Sequence, residues 1–268
     1  MNRELIKKRN EDIIRLSEKY SQKEIGKMYN ISQCNVGKIL RKNNVKRKKS
    51  RLNMSKLSLD IDFFKCIDTP QKAYWLGYIC ADGCIQKGND KLAICCKDLE
   101  ILEKFKKNIN SEHKISERHI FDKRTNKCYD EYSLQIGNEL FVKNIIKHGV
   151  THEKTDVCYF PDINEEFYSY FIAGLFDGDG SVCQTKKNNA IRCSLISTKE
   201  ILVFIDNYLS KRYGVKPCKM QKISKNKINV YKQFWYKNSL LFLDFIYQGD
   251  KEIFLSRKYK IYEERKRT

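Results

Sequence analysis

The sequence predicts an α+β fold: two pseudo-symmetric αββαββα halves with curved antiparallel sheets, preceded by a small all-α helix-turn-helix domain. Three observations predict it. The chain repeats itself after residue 60, with matching segments at a nearly constant offset. Within each copy the apolar period switches between the helical and the strand value in the same order. The segment before the repeats carries helical periodicity alone, with capping signals between short apolar runs.

Residues 11–20, EDIIRLSEKY, place Ile13, Ile14, Leu16 and Tyr20 at helical spacing. Ser21 followed by Glu24 is a capping-box pattern that opens a short second helix, with Ile25 and Met28 inward. YNIS is a tight turn, and Ser32 caps a third helix whose inner face is Val36, Ile39 and Leu40. Two short helices joined by such a turn read as a helix-turn-helix, with Gln33, Asn35, Lys38 and Arg41 on the outer face of the second. Those side chains suit base edges and phosphates. The segment resembles the helix-turn-helix units of site-specific recombinases and bacterial regulators. The chain has a net charge of +20, and its first 56 residues hold 17 Lys and Arg against 5 Asp and Glu. That balance suggests a polyanion partner, most simply nucleic acid. Residues 1–46 are expected to form the helix-turn-helix domain, residues 47–62 a basic linker, and residues 63–158 and 159–268 the two halves.

In the repeats, AYWLGYICADGCI (Ala73–Ile85) matches SYFIAGLFDGDGSV (Ser169–Val182), so that Asp82 falls on Asp179. LAICCKDLEILEKFKKNI matches RCSLISTKEILVFIDNYL and puts Glu100 on Glu200. The second copy then needs three extra residues, placed in its first hairpin. HKISERHIFD and YDEYSLQIGN are the second strand pair of the first copy, PCKMQKISKNK and INVYKQFWYKN that of the second. Duplication of this kind predicts a core with a pseudo-two-fold axis, a symmetry that a DNA duplex shares.

The first helix of each copy ends in acid. Gly174 and Gly178 are four apart, as are Gly77 and Ala81, so each helix shows a ridge of small residues. Paired about the axis, the helices converge at their C-termini and bring Asp82 and Asp179 to one place. A helix C-terminus is already partly negative. Two carboxylates there make a spot that hard divalent cations would fill, giving a phosphodiesterase site. A calcium loop is excluded: counted from Asp177, the positions that need a glycine and an acid are Val182 and Asn188.

WLGYICADG and IAGLFDGDG resemble the two LAGLIDADG motifs of single-chain homing endonucleases. The resemblance covers roughly residues 63–268, including the lead-in GVTHEKTDVCYFPDINEEF and the ending FLSRKYKIYEE. It implies a site-specific endonuclease that acts as a monomer on a long, asymmetric double-stranded DNA site. With Mg²⁺ or Mn²⁺ it would hydrolyse one phosphodiester per strand across the minor groove, leave short 3′ overhangs and initiate mobility of its own coding element. It also implies that Asp82 and Asp179 bind metal and align the attacking water, with the carbonyls of Ala81 and Gly178 as further ligands. Cys80 stands where the second copy has Asp177, so that position does not require an acid and Asp177 reads as structural. The family's lysine from each half maps to Lys154 and Lys258, whose charge would stabilise the transition state. A third polar position falls on Lys97 or Asp98 and on Ser197 or Thr198, although capping of the next helix explains Asp98 and Thr198 equally well. Bases would be read from the strands, through Gln86, Lys87, Arg118, Arg124, Gln184, Lys186, Arg192, Gln221, Lys225 and Lys227.

Two other functions share this resemblance. One is a non-cleaving DNA-binding transcriptional regulator, against which retention of both acids speaks. The other is an RNA maturase, against which the helix-turn-helix speaks, because the major groove of A-form RNA is too narrow for a recognition helix. No stretch approaches the roughly 18 consecutive apolar residues of a membrane span. The N-terminus lacks the apolar core of a secretory signal, so a cytoplasmic (prokaryotic or phage-encoded) or organellar protein is expected. The absence of a nucleophilic first residue and of a terminal His-Asn pair points to a free-standing protein rather than an intein. The eleven cysteines contain no CxxC pair and read as reduced core thiols. Gly149 between His148 and His152 argues against a metal-binding pair there.

Overall fold

The computed structural model describes residues 3–43, 45, 57–88, 91–122, 126–152, 154–185, 190–223 and 229–267. The chain forms two compact units, Met1–Met54 and Ser55–Thr268. No helix among the described residues is long and apolar enough to cross a membrane.

The first unit contains α1 (Arg3–Leu16), α2 (Gln22–Met28) and α3 (Gln33–Lys42). The Glu24 amide donates to Ser21 Oγ at 3.3 Å and the Ser21 amide donates to Glu24 Oε2 at 2.8 Å, a reciprocal capping box. Asn30, in the turn before α3, has a φ of 49°, a left-handed conformation that Asn tolerates. Ile13, Ile25, Val36 and Leu40 form a small core. Met28, expected to face inward, is 55% exposed, and Tyr20, expected to continue the helical spacing of the first helix, is 43% exposed. Helix α1 ends at Leu16, short of Tyr20. The buried face of α2 is centred on Ile25 and Gly26, with Gly26 against the Ile31 carbonyl, which turns Met28 to solvent.

The second unit holds two copies of one arrangement. The first comprises α4 (Pro70–Asp82), β1 (Gly83–Ile85), β2 (Leu92–Cys96), α5 (Leu99–Asn108), β3 (Ile115–Asp122), β4 (Lys127–Ile136) and α6 (Glu139–Ile146). The short α7 (Lys154–Val157) follows. The second comprises α8 (Tyr168–Asp179), β5 (Gly180–Gln184), β6 (Ile191–Thr198), α9 (Lys199–Tyr213), β7 (Met220–Lys222), β8 (Val230–Phe234) and α10 (Ser239–Ile246), and α11 (Ser256–Lys266) closes the chain. Both sheets are antiparallel with the same order, β1-β2-β4-β3 and β5-β6-β8-β7.

Register refines the repeat. Gly83 pairs with Ile94, 11 residues on, whereas Gly180 pairs with Leu195, 15 residues on. The second hairpin is therefore longer by four residues rather than three, and one residue is lost between Leu195 and the start of α9. Sequence matching sees only the sum of the two changes.

Thr69 Oγ1 accepts from the Lys72 amide at 3.3 Å and Pro70 occupies the first helical position, so α4 starts sharply. Every residue from Ala73 to Cys80 is buried, because α4 lies between its own sheet and α8 rather than on a surface. The two helices touch backbone to backbone. A Cβ on Gly77 would collide with the Phe171 carbonyl, one on Gly174 with the Tyr74 carbonyl, and one on Gly178 with the Ala81 methyl.

Candidate functional site

Asp82 and Asp179 are the last residues of α4 and α8, and the next residues, Gly83 and Gly180, enter β1 and β5. The Asp82 carboxylate lies against the end of α8, with Oδ2 3.5 Å from the place a Gly178 Cβ would take. The hydroxyl of Tyr78, one turn earlier, donates to it. Burial pushes the Asp82 carboxyl up from its ordinary range, against that hydrogen bond and the charges of Lys154, Lys258 and Arg257. Asp179 is exposed, and its charge acts on Cys80 and Lys258.

A lysine from each copy sits on these helix ends. Lys154 Nζ donates to the Cys80 carbonyl at 2.7 Å and to the Ala81 carbonyl. Lys258 Nζ donates to the carbonyls of Phe176, Asp177 and Gly180 at 2.6, 2.9 and 2.6 Å. Carbonyls of a last turn lack helical partners, and a cation there complements the helix dipole. Lys258 is 2% exposed, and burial pushes its ammonium down to about 8 against the pull of Asp177. An ammonium has three donors, and the three carbonyls engage all of them in Lys258. Of the two carbonyls expected as metal ligands, that of Ala81 accepts from Lys154.

Asp177 is 1% exposed. Its Oδ1 accepts from the Tyr247 hydroxyl at 2.8 Å, and its Oδ2 accepts from the Tyr74 hydroxyl at 2.7 Å and the Leu255 amide at 2.8 Å. Burial pushes its carboxyl up, opposed by Lys258 and by these bonds. Both oxygens are engaged within the protein, where they join α8 to α4 and to the approach to α11. At the matching place in α4 the Cys80 thiol donates a hydrogen bond to Cys158, which raises Cys80 and lowers Cys158.

Asp98 and Thr198 stand at the starts of α5 and α9, yet neither makes a side-chain cap. Capping, offered by the sequence as an equal explanation for both, is thus set aside. Arg257 Nε donates to both oxygens of Asp98 at 3.0 and 2.9 Å, and Thr198 Oγ1 donates to the Cys158 carbonyl at 2.5 Å. Lys97 Nζ lies 3.7 Å above the Tyr129 ring, and Ser197 lies opposite Tyr231 in the sheet. Lys104 Nζ donates to the Phe254 carbonyl at 2.7 Å and the Ser256 amide donates to Glu100 Oε1 at 2.9 Å. The closing segment of each copy is therefore bonded to the other copy. His148 Nε2 bonds to the Phe64 carbonyl at 2.9 Å, a packing role.

Gln33, Asn35, Lys38 and Arg41 are exposed on α3. Gln86 and Lys87 are exposed after β1, Arg118 is exposed opposite Glu131, Arg192 is exposed opposite Cys183, and Gln221 lies opposite Lys232. Gln184 departs from expectation. It pairs with buried Ile191, so pleating puts it on the helix side of the sheet, away from Arg192. Arg124, Lys186, Lys225 and Lys227 lie outside the described residues. Among the described residues, one group of three His, Cys, Asp or Glu side chains lies within joint ligating reach. It is Glu117, His119 and Asp130, exposed on β3 and β4. His119 Nδ1 is 2.5 Å from Asp130 Oδ1, and that bond raises the imidazole.

The family model for LAGLIDADG-like domains matches residues 69–147 and 166–258, one span in each copy. The chain belongs to the LAGLIDADG-like domain family. Among solved structures, the homing endonuclease I-WcaI bound to its DNA recognition sequence is 18% identical with a TM-score of 0.50, covering 75% of this chain and 90% of that one. The N-terminal LAGLIDADG domain of DUF199/WhiA is 16% identical with a TM-score of 0.45, covering 75% and 93%. I-DmoI in complex with DNA and Ca is 16% identical with a TM-score of 0.41, covering 71% and 92%. The likeness to I-WcaI is one of fold. Sequence comparison with curated proteins finds no match.

The LAGLIDADG helix ends offer two carboxylates, the hard oxygen donors that sites for hard divalent cations use. Burial that disfavours the charge of Asp82 agrees with that fit. Two residues of this LAGLIDADG centre escaped the sequence reading. Tyr78 precedes Asp82 by one helical turn, a spacing visible in WLGYICADG. Arg257 adjoins Lys258, but its partner Asp98 is 159 positions away, beyond any local pattern.

Proposed function

We propose that this chain is a site-specific homing-type DNA endonuclease. It binds a long, asymmetric duplex site as a monomer and hydrolyses one phosphodiester in each strand with Mg²⁺ or Mn²⁺, initiating mobility of its own coding element. The observation that carries the reading is the arrangement of Asp82 and Asp179 at the paired ends of α4 and α8, with Lys154 and Lys258 on the carbonyls of those ends.

Asp82 and Asp179 would hold the metal. A bound divalent cation supplies charge for the phosphate and lowers the pKa of a water. The Tyr78 hydroxyl orients the Asp82 carboxylate. Lys154 and Lys258 keep positive charge beside the reacting phosphate, where it favours the transition state. Asp177, fixed by Tyr74, Tyr247 and the Leu255 amide, holds the end of α8 in place and takes no part in the chemistry. Residues 63–158 and 159–268 act as the two halves that read the site from their sheets. Residues 1–46 add a helix-turn-helix contact through Gln33, Asn35, Lys38 and Arg41.

The test begins with duplexes selected by binding from a randomised pool. Wild type with Mg²⁺ or Mn²⁺ is expected to cut both strands of a selected duplex. Asp82→Asn and Asp179→Asn are expected to bind it normally and to cut at least about 100-fold more slowly. If wild type leaves the selected duplex intact with either metal, cleavage is lost and a DNA-binding regulator remains.

A further inference from the structure

Phe234 and Gln135 hold the same place in the two sheets. Gln233 pairs with Leu195, and Leu134 with Ile94, and all four are buried on the helix side. Leu195 pairs with Gly180 and Ile94 with Gly83, which fixes the correspondence. The next residue after each, Phe234 and Gln135, therefore faces away from the helices. The row through Phe234 is completed by Ser194 and Ser181, the row through Gln135 by Ala93 and Cys84.

These equivalent rows differ in chemistry. The Phe234 ring stacks on Tyr236, with centroids 5.6 Å apart at 26°, and Lys232 Nζ stands 4.9 Å from the same ring. Phe234 is half-buried and Tyr236 is exposed, so a held aromatic edge is offered on a face that also carries Arg192. In the first sheet the same place offers only the exposed amide of Gln135. In a major groove the thymine methyl is read by apolar contact and adenine by an amide. An aromatic edge beside a cation suits a methyl lying next to phosphate.

We infer that Phe234 is a specificity residue that selects thymine in the half-site lying under the second sheet. Its counterpart Gln135 suits adenine, so the two half-sites differ at equivalent positions. The inference rests on the duplex-DNA reading above and is independent of cleavage.

A randomised duplex pool selected by binding tests it. Wild type is expected to enrich thymine at one position where Phe234→Gln enriches adenine. The selected duplex, remade with uracil in place of that single thymine, should bind wild type about fourfold more weakly, the effect of one buried methyl. Phe234→Gln should bind the two duplexes alike. Absence of a thymine preference that depends on residue 234, or an equal uracil penalty in both proteins, overturns the inference. Sequence-specific binding without that preference removes this inference alone. Failure to bind any duplex removes it together with the DNA-binding reading, and failure to cut touches neither the measurement nor its meaning.

Discussion

Lys258 donates to the main-chain carbonyl of Asp177 at 2.9 Å, and with the Phe176 and Gly180 carbonyls it has all three N–H donors bonded at the end of α8. Burial lowers its pKa to about 8 from 10.5. Between those values the unfolded chain binds more protons at this group than the folded chain, so its contribution to stability rises with pH across that window. Below about pH 8 both states are protonated and the full burial penalty applies. Denaturant unfolding of wild type and Lys258→Met at about pH 7 and about pH 10 checks the sign. Wild type is expected to gain on the variant by up to about 3 kcal/mol. Equal slopes would refute the assignment.

The contact between α4 and α8 leaves no room for a methyl at Gly174, where a Cβ would enter the Tyr74 carbonyl. Gly174→Ala is expected to destabilise the fold by about 3 kcal/mol, because backbone rather than a flexible side chain must move. A control at Gly214, which has φ of 66° and open space around it, carries only the strain of its left-handed backbone. Gly214→Ala should therefore cost about 1 kcal/mol. Comparable losses at both positions in thermal unfolding would show that close helix packing is not the cause.

Asp177→Ala strands three buried donors: the Tyr74 and Tyr247 hydroxyls and the Leu255 amide. A loss of at least about 3 kcal/mol is expected, since each unsatisfied buried group costs about 1–3 kcal/mol. Adding Tyr74→Phe to that variant removes one stranded hydroxyl and should lower stability less than the same change in wild type. A double-mutant cycle by chemical denaturation measures the difference.

Lys38 and Arg41 are exposed on α3. If they meet phosphate, Lys38→Ala and Arg41→Ala should each weaken duplex binding and reduce the slope of log affinity against log salt by about 1. An unchanged slope in both variants would remove α3 from the DNA contact. Thermal unfolding should be nearly unaffected, because neither side chain belongs to the core of Ile13, Ile25, Val36 and Leu40.

Much of the acidic centre was legible because its signals are local or duplicated. Four-residue glycine spacing marks the helix contact, and an acid at the same place in two copies marks Asp82 and Asp179. The cysteine facing Asp177 in the alignment separated that acid from them, but its three donors, from residues 74, 247 and 255, no local pattern could supply. The same distance in sequence hid the Arg257–Asp98 pair. Helix α2, at seven residues, is too short for periodicity to choose a face, and Met28 was misplaced. The misplacement of Gln184 shows that strand faces in a lengthened hairpin follow register, which depends on pairing rather than composition.

The bond between Tyr74 and Asp177 also limits the ancestry of the chain. At the offset that relates Asp82 to Asp179, the counterpart of Tyr74 is Phe171 and that of Asp177 is Cys80. Two first copies placed together would bury tyrosine hydroxyls opposite thiols, and two second copies would bury carboxylates opposite phenylalanines. Neither like-with-like pairing satisfies its polar groups, and such groups are expensive to bury unpaired. Divergence has made the halves complementary and no longer self-compatible, so the fusion is irreversible by simple division: cut apart, each half needs its sibling and not its twin.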